Sequence, residues 1–375
     1  MTSTTHRPEC TAALYLAVEL STREWWLTMG ATPGGARHRV RVVPGDRVAV
    51  RRAVAAAKLR CGLAPAALVR SCYEAGREGF WPHRFFTALD ITNLVVDSSS
   101  IEVSRRARRA KTDRLDGQAL LRMLQRYWGG ERELWQVVHV PTPTVEDARH
   151  ASRLVTTLQA DRTRYRNRIH SLLALHGVRL RIDGQFTARL EAARDWQGDP
   201  LPPGVVARVR TTWQLLHALD AIHRGLRRTE RAQVQAAAPG ASATAHRLVQ
   251  LRGLAARSAT VLAQELFTRT LRNRRQVGAL SGLVSVPYRS GQRAVDQGLA
   301  RSGVPAVRRI AVEIAWAWRR YQPTSALTRW YHVRFGSGSP ATRRVGIVAL
   351  ARRLLIALWR YVETGVVPEG AQLKA

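Results

Sequence analysis

The first third of the chain alternates short hydrophobic runs, typical of strands, with longer amphipathic stretches, typical of helices. Three short runs separated by polar turns predict antiparallel strands over Ala12–Val18, Trp25–Met29 and His38–Val43. A helix, a strand, a helix and a strand are predicted to follow, over Val48–Leu59, Ala66–Cys72, Trp81–Leu89 and Asn93–Val96. This order of elements predicts an α/β domain within residues 1–130.

Long helices replace this pattern from residue 146 onward. Apolar residues spaced three, four or seven apart predict one helix from Glu146 to Leu175 and a second from Val205 to about Leu226. Residues 146–235 are therefore expected to form an arginine-rich helical hairpin, which extends as an arm, pairs with another copy or packs on its own domain. An alanine-rich linker, residues 236–245, precedes a predicted all-α domain over residues 246–375.

The charge balance points to nucleic acid as a partner. The 375 residues include 60 Lys and Arg against 27 Asp and Glu, which gives a net charge of +33. Such an excess repels itself unless a polyanion neutralises it. Three separated cysteines without a CxxC pair favour a reducing compartment and disfavour structural zinc. Because no apolar run is long enough to span a membrane, we expect a soluble cytoplasmic protein.

Carboxylates at predicted element ends are the candidate catalytic groups. Glu19 ends the first strand, and Glu74 follows the fourth, so both side chains reach an edge of the sheet. Asp113 and Asp116 are three residues apart at the start of a helix and share one face. Carboxylates converging from separate elements bind Mg²⁺, and two such ions stabilise phosphoryl transfer. Spacing alone equally allows a helix N-terminal acid at Asp113 and surface charges at the two glutamates.

The run from Ser104 to Asp116, together with the downstream Ser290-Gly291 segment, closely resembles the DEDD-type transposases of bacterial insertion sequences. The specific relative is the insertion sequence one-ten family of RNA-guided recombinases. The resemblance covers nearly the whole chain, with further matching blocks at Tyr73–Gly76, Arg252–Leu254, Glu313–Trp316 and Gly346–Ala351.

The resemblance implies a fold and a metal site for the first domain. The fold is RNase-H-like (Holliday-junction-resolvase-like), followed by the long helical hairpin and a C-terminal, mainly helical transposase domain. Its metal-binding acids fall on Glu19, Glu74, Asp113 and Asp116, which would hold two Mg²⁺ ions, with Mn²⁺ able to substitute. The first acid of the family is usually Asp, and here the carboxylate stands on a stem one methylene longer.

Ser290 is the candidate nucleophile, in a predicted turn over Pro287–Gly291. A serine-glycine turn explains it from the residues alone, but the resemblance implies that this serine attacks a DNA phosphodiester, giving a phosphoserine link and a free 3′-hydroxyl. No histidine lies close in sequence, so metal ions held by a separate domain are the expected activator. The rival nucleophiles are Tyr288, Tyr321 and Tyr331, of which the last two are interpreted as packing residues.

The resemblance also implies partners: double-stranded target and donor DNA, a noncoding bridge RNA that selects them, and further copies of the chain in a dimer or tetramer. The side chains predicted to contact nucleic acid are Arg105, Arg106, Arg108, Arg109, Lys111, Arg164, Arg166, Arg168, Arg289 and Arg301. The turn at Arg252–Leu254 resembles a helix-hairpin-helix, which offers backbone N–H groups to phosphate. The segment Leu299–Val304 departs from the family pattern by losing a serine and an asparagine.

Two other functions compete with a recombinase. An RNase-H-like nuclease or junction resolvase would use water as the attacking group and leave Ser290 a structural role. A non-catalytic nucleic-acid-binding protein would need only the positive charge.

Overall fold

The computed structural model describes residues 12–101, 113–236, 240–290, 293–300 and 302–374. Side chains are described throughout these ranges except at 113–116, 288–290, 293–294 and 296. The chain divides into two compact units, Met1–Val140 and Pro141–Ala375. The helical hairpin and the C-terminal helices both belong to the second unit. Within the described ranges, no helix has the length and apolar character needed to cross a membrane.

A five-stranded sheet of order β3-β2-β1-β4-β5 forms the centre of the first unit. Strands β1, β2 and β3 are antiparallel neighbours, as predicted, whereas β4 lies parallel to β1 and β5 parallel to β4. The strand bounds are Ala13–Leu20, Trp25–Gly30, His38–Val42, Leu68–Glu74 and Thr92–Val96, in chain order. The predicted α/β architecture is therefore confirmed for this part of the chain.

Helices cover both faces of this sheet. On one face, α1 (Arg47–Arg60) and α2 (Trp81–Thr87) pack on β1 side chains such as Leu16. On the other face, α3 (Asp113–Trp128) packs on Ala17 and its neighbours. Because successive side chains of a strand point to opposite faces, β1 is buried on both sides. Helix α1 begins after Asp46, whose carboxylate accepts the Ala49 N–H at 2.9 Å and so caps the helix.

The helical hairpin of the second unit is built from two long helices, α4 (Pro143–Ala174) and α6 (Pro203–Gln235), with the short α5 (Phe186–Glu191) in their connection. Its outer part has its own hydrophobic core, formed by residues such as Ile169 and Val209.

Ion pairs join the base of the hairpin to α8 (Ala256–Glu265). Arg153 of α4 donates two hydrogen bonds to Glu265, at 2.9 and 3.1 Å, and Arg257 of α8 pairs with Glu230 of α6 at 2.7 Å. The base of the hairpin is thus packed on its own unit. The second long helix also continues past Leu226 to Gln235. Its last turns are held because Glu230 pairs with Arg257 and Val234 packs in a hydrophobic core with residues of α7 and α8.

The C-terminal part of the second unit is mainly helical. Helices α7 to α12 surround one hydrophobic core. Besides α8, they are α7 (Ala241–Val249), α9 (Arg274–Ser281), α10 (Pro305–Tyr321), α11 (Ala326–Phe335) and α12 (Pro340–Thr364). The predicted linker over residues 236–245 is wrong for residues 241–245, which begin α7 because Ala245 packs in this core. The helical prediction also missed an antiparallel hairpin of β6 (Ser285–Ser290) and β7 (Arg293–Leu299). Gly282, with φ of +65°, ends α9 and directs the chain into this hairpin.

Candidate active site

Two of the predicted acids lie side by side at one edge of the sheet. In the parallel pairing of β1 with β4, Val18 is opposite Tyr73, so Glu19 and Glu74 occupy the next register position. The twofold alternation of strands places both glutamates on the same face as Ala17 and Cys72, which is the face covered by α3. Burial raises the pKa of the Cys72 thiol, and the negative charge of Glu74 raises it further.

The start of α3 approaches Glu19 closely. Asp113 is the first residue of this helix and Asp116 lies in its first turn, as predicted. Directly after them, the backbone of Gly117 lies so close to β1 that an added Cβ would collide with Glu19 Oε1 and stand 2.8 Å from Thr28 Oγ1. Glycine at position 117 therefore leaves room for the Glu19 carboxylate.

The Glu19 carboxylate is largely buried and paired with a cation. Arg39 of β3 donates to Glu19 Oε2 at 3.3 Å, and its guanidinium lies 4.0 Å from the centre of the Trp26 ring. The Trp26 ring and the Glu19 carboxylate together hold the Arg39 guanidinium in place, although Arg39 belongs to β3 and β2 lies between β3 and β1. Thr28, opposite Arg39 in the β2–β3 register, is buried, and its hydroxyl has no hydrogen-bond partner among the described residues.

Arg39, Thr28 and Gly117 were not predicted as site residues. The alternation of the third strand places Arg39 on one face but does not say which acid it meets. Gly117 carries the clearer signal, because a glycine inside a helical pattern indicates a close backbone approach. Across the described side chains, which exclude those of Asp113 and Asp116, no third acidic, His or Cys side chain joins Glu19 and Glu74 in a metal-binding group.

Ser290 is the last residue of β6, in the second unit, where its backbone pairs with Arg293 of β7. The predicted turn over Pro287–Gly291 is therefore wrong for residues 287–290, which belong to a strand. Arg289 lies in the same strand, and both side chains are outside the described set.

The rival tyrosines differ in their surroundings. Tyr331 is fully buried, and its hydroxyl donates to Arg343 O at 3.4 Å, so its interpretation as a packing residue is confirmed. Tyr321 is 48% exposed, so its interpretation as a packing residue is wrong. Tyr288 lies in β6, and its side chain is not among those described.

The predicted nucleic-acid-binding arginines of α4 have different local partners. Arg164 is exposed and, among the described side chains, pairs with Asp161, one turn before it, at 2.6 Å. The exposed Arg168 lies 5.2 Å from the Tyr165 ring. Arg166 instead points to Asp220 of α6, at 3.6 Å, and helps to hold the hairpin together. The predicted contacts Arg105, Arg106, Arg108, Arg109, Lys111 and Arg301 lie outside the described residues.

The turn predicted as a helix-hairpin-helix joins α7 to α8, but two of its three N–H groups are already bonded. Arg252 N–H donates to Gln372 O at 3.0 Å, and Leu254 N–H donates to Leu251 O at 3.2 Å. These bonds leave little of the turn's backbone for phosphate.

Comparison with known proteins identifies the family. Residues 245–329, which run from α7 into α11 and include Ser290, match the family model described as "Transposase IS116/IS110/IS902 family". The chain is also 38% identical over 381 residues to the protein named "Putative transposase y4rJ" of Sinorhizobium fredii (strain NBRC 101917 / NGR234). That alignment covers 96% of this chain and 95% of the relative. The chain therefore belongs to the IS116/IS110/IS902 family of transposases.

Proposed function

We propose that this transposase, a DNA-processing enzyme by family, cleaves and rejoins DNA strands by metal-dependent phosphoryl transfer with Ser290 as the attacking group. One observation carries the proposal. Glu19 and Glu74 share one face at the ends of adjacent parallel strands, and the helix that begins with Asp113 and Asp116 lies against Glu19. Carboxylates gathered in this way are the ligands that hard divalent cations prefer.

The strand order supports an RNase-H-like (Holliday-junction-resolvase-like) assignment for the first unit. Three antiparallel strands, extended by two strands parallel to β1 and covered by helices on both faces, form the arrangement that the family resemblance implies. In open α/β sheets, functional groups collect beyond the carboxyl ends of the parallel strands. Glu19 and Glu74 lie at those ends of β1 and β4.

The residues that would hold two Mg²⁺ ions are Glu19, Glu74, Asp113 and Asp116, and Mn²⁺ could substitute. The buried Thr28 hydroxyl, without a partner among the described residues, supports the fit because it adds a hard oxygen donor beside Glu19. Arg39 orients the Glu19 carboxylate from the far side of β2. When bound, the metal supplies electrostatic stabilisation of the charge on the phosphoryl oxygens.

The proposed reaction exchanges one phosphate ester for another. The Ser290 oxygen bonds to phosphorus, the bond to the 3′-oxygen breaks, the serine proton passes to solvent, and the released 3′-oxygen takes up a proton. The product is DNA joined to Ser290 through its 5′-phosphate, with a free 3′-hydroxyl. Because the number of phosphate ester bonds stays the same, attack by a 3′-hydroxyl on the phosphoserine can rejoin strands without an external energy source.

The partners of the proposed reaction are polyanions. Target and donor DNA would be selected by base pairing with a noncoding bridge RNA, and the chain would act as a dimer or tetramer. The net charge of +33 supports binding to several nucleic-acid strands at once.

Strand cleavage in the presence of Mg²⁺ tests the proposed function. We expect end-labelled DNA that carries the element ends, mixed with the bridge RNA and the full chain, to be cut, and EDTA to abolish cutting. On a denaturing gel, the cut strand should migrate with protein attached. A nuclease that uses water would release protein-free fragments, and a binding protein would leave the DNA intact.

Gly117→Ala is expected to lower the cleavage rate by about 100-fold, because the added methyl group must displace the Glu19 carboxylate and a misplacement of roughly 1 Å has this cost. The carboxylate is the far end of a flexible side chain, so the melting temperature should change little. Gly225→Ala is the matched control, since Gly225 is also a helical glycine and has no atom within 4 Å of the added Cβ. Equal activity of the two variants would contradict the close approach.

The salt dependence of DNA binding tests the surface of α4. Each phosphate contact contributes about −0.9 to the slope of log affinity against log salt, so neutralising Arg164, Arg166 and Arg168 together should flatten that slope. Most of the change should come from Arg164→Gln with Arg168→Gln, because these side chains are exposed and lack a partner on another helix among the described residues. Arg166→Gln should change the slope least, since Asp220 already binds this guanidinium. An unchanged slope in the triple variant would mean that this face of α4 does not contact nucleic acid.

A further inference from the structure

A concave pocket opens on the C-terminal part of the second unit. It lies between the end of α10, helix α11 and the first turn of α12, and its volume is about 760 Å³. This volume falls within the range of about 300–1,000 Å³ that is typical of pockets for small ligands. Neither Ser290 nor any of the four candidate acids lines it, although the tyrosines Tyr321 and Tyr331 do.

The lining is positively charged. Arg319, Arg320 and Arg343 face the pocket together with His332, and no carboxylate lines it. In the described part of the chain, none of these three arginines forms an ion pair with an acidic side chain. This differs from arginines such as Arg153, whose guanidinium is held by Glu265. Unpaired guanidinium groups around a cavity favour an anionic ligand, and their planar donors suit phosphate.

Exposed aromatic rings stand beside these charges. Trp316 is 43% exposed and Tyr321 is 48% exposed, although both belong to a well-packed helix. The Arg319 guanidinium lies 4.8 Å from the centre of the Trp316 ring, and that of Arg320 lies 5.6 Å from the centre of the Tyr321 ring. Exposed rings flanked by arginines are the surface on which unpaired bases stack in proteins that bind single strands.

The rings are held on a rigid support. Trp318, between them on α10, is fully buried, and its indole N–H donates to Ser325 Oγ at 2.9 Å. The buried Tyr331 packs behind Arg319, whose guanidinium lies 5.5 Å from the Tyr331 ring and donates to the Tyr331 hydroxyl at 3.4 Å. The helix that carries Trp316 and Tyr321 is therefore anchored in the core of the unit.

We propose that this pocket binds an unpaired nucleotide within a single-stranded segment of nucleic acid. The base would stack on Trp316 or Tyr321, and its flanking phosphates would contact the pocket arginines. A duplex would bind poorly here, because paired bases stack on one another and show only their edges to a protein. The proposal goes beyond the catalytic function above and does not depend on Ser290 or on the acidic residues.

Binding of labelled oligonucleotides to the full chain tests the proposal. Fluorescence anisotropy in EDTA, which blocks metal-dependent cleavage, would compare a uracil RNA and a thymine DNA of about 20 nucleotides with a duplex of equal length. We expect Trp316→Ala and Tyr321→Ala each to weaken single-strand binding by roughly 5- to 150-fold, the usual effect of losing one base–aromatic stack. Duplex affinity should stay within about twofold, and Trp316→Phe, which keeps a ring, should retain most single-strand binding.

Two matched controls separate the pocket from general surface effects. Trp196→Ala removes an indole that is 75% exposed on the hairpin, and Arg360→Ala removes an exposed positive charge from α12. Single-strand affinity should fall clearly less in these variants than in Trp316→Ala and Arg320→Ala.

Wild-type affinity in Trp316→Ala and Tyr321→Ala, or an equal loss in Trp196→Ala, would overturn the proposal. Because cleavage plays no part in this assay, that result would leave the proposed reaction at Ser290 unaffected. Tighter binding of the RNA would point to an RNA strand as the source of the unpaired nucleotide, and tighter binding of the DNA would point to a DNA strand.

Discussion

Glu19→Gln is expected to reduce Mg²⁺-dependent strand cleavage by at least about 100-fold while DNA affinity stays within about twofold. The amide has almost the shape of the carboxylate and still accepts a hydrogen bond from Arg39, but it supplies no negative charge to a cation. DNA binding should persist because arginines, and not acids, contact phosphate. Cleavage rates on labelled DNA and affinities in EDTA provide the two measurements.

A second glutamate of the same sheet offers a matched control. Glu24 pairs with Arg41 of β3 at 3.2 Å, just as Glu19 pairs with Arg39 at 3.3 Å, but the Glu24 side chain is 38% exposed against 19% for Glu19. Glu24→Gln should therefore cleave DNA at nearly the wild-type rate. Glu74→Gln, Asp113→Asn and Asp116→Asn should behave like Glu19→Gln. Mg²⁺-dependent cleavage retained in all four variants, or lost equally in Glu24→Gln, would contradict the acidic site.

Ser290→Ala is expected to abolish both recombination and the covalent protein–DNA product, while metal-independent DNA binding persists. The change removes one oxygen atom from the last residue of β6 and keeps the Cβ, so we expect little change in stability. Loss of activity with an unchanged melting temperature would then reflect chemistry and not unfolding. Ser285→Ala, which alters the exposed first residue of the same strand, should retain activity.

Ser290→Cys examines the metal dependence of the attacking group. A thiolate is nucleophilic but is a soft and poor ligand for Mg²⁺. Partial rescue of this variant by Mn²⁺ would place a metal at the attacking atom. A nuclease that uses water would instead cut DNA at a near-normal rate in Ser290→Ala, and that result would remove serine from the mechanism.

The sheet of the first unit could be predicted from the sequence because its strands bury apolar side chains. The runs at Ala13–Leu20 and Trp25–Gly30 are almost wholly buried, and hydrophobicity alone detects such strands. The β6–β7 hairpin gave no comparable signal. Its apolar residues Val286, Val295 and Leu299 are 38–43% exposed, so no buried face imposes an alternating pattern.

The sequence predicted the parts of the candidate site that lie at the ends of strands. It did not predict the contact that depends on how neighbouring strands are aligned. Parallel strands end at one edge, so the proximity of Glu19 and Glu74 follows from their positions in the sequence. Arg39 reaches Glu19 only because β2–β3 pairing places it opposite Thr28, and nothing in the local sequence encodes that register. The length of α6 escaped prediction for a similar reason, because an ion pair to α8 stabilises its end.

Mapping the residue that becomes joined to DNA distinguishes attack by Ser290 from attack by water or by tyrosine. The full chain would react with DNA and its bridge RNA in Mg²⁺, and the protein–DNA product would be digested and sequenced by mass spectrometry. We expect a single nucleotide-bearing peptide with the modification on Ser290, absent from the Ser290→Ala and Glu19→Gln reactions. An adduct that persists in Ser290→Ala and maps to Tyr288, or cleavage without any adduct, would contradict attack by Ser290.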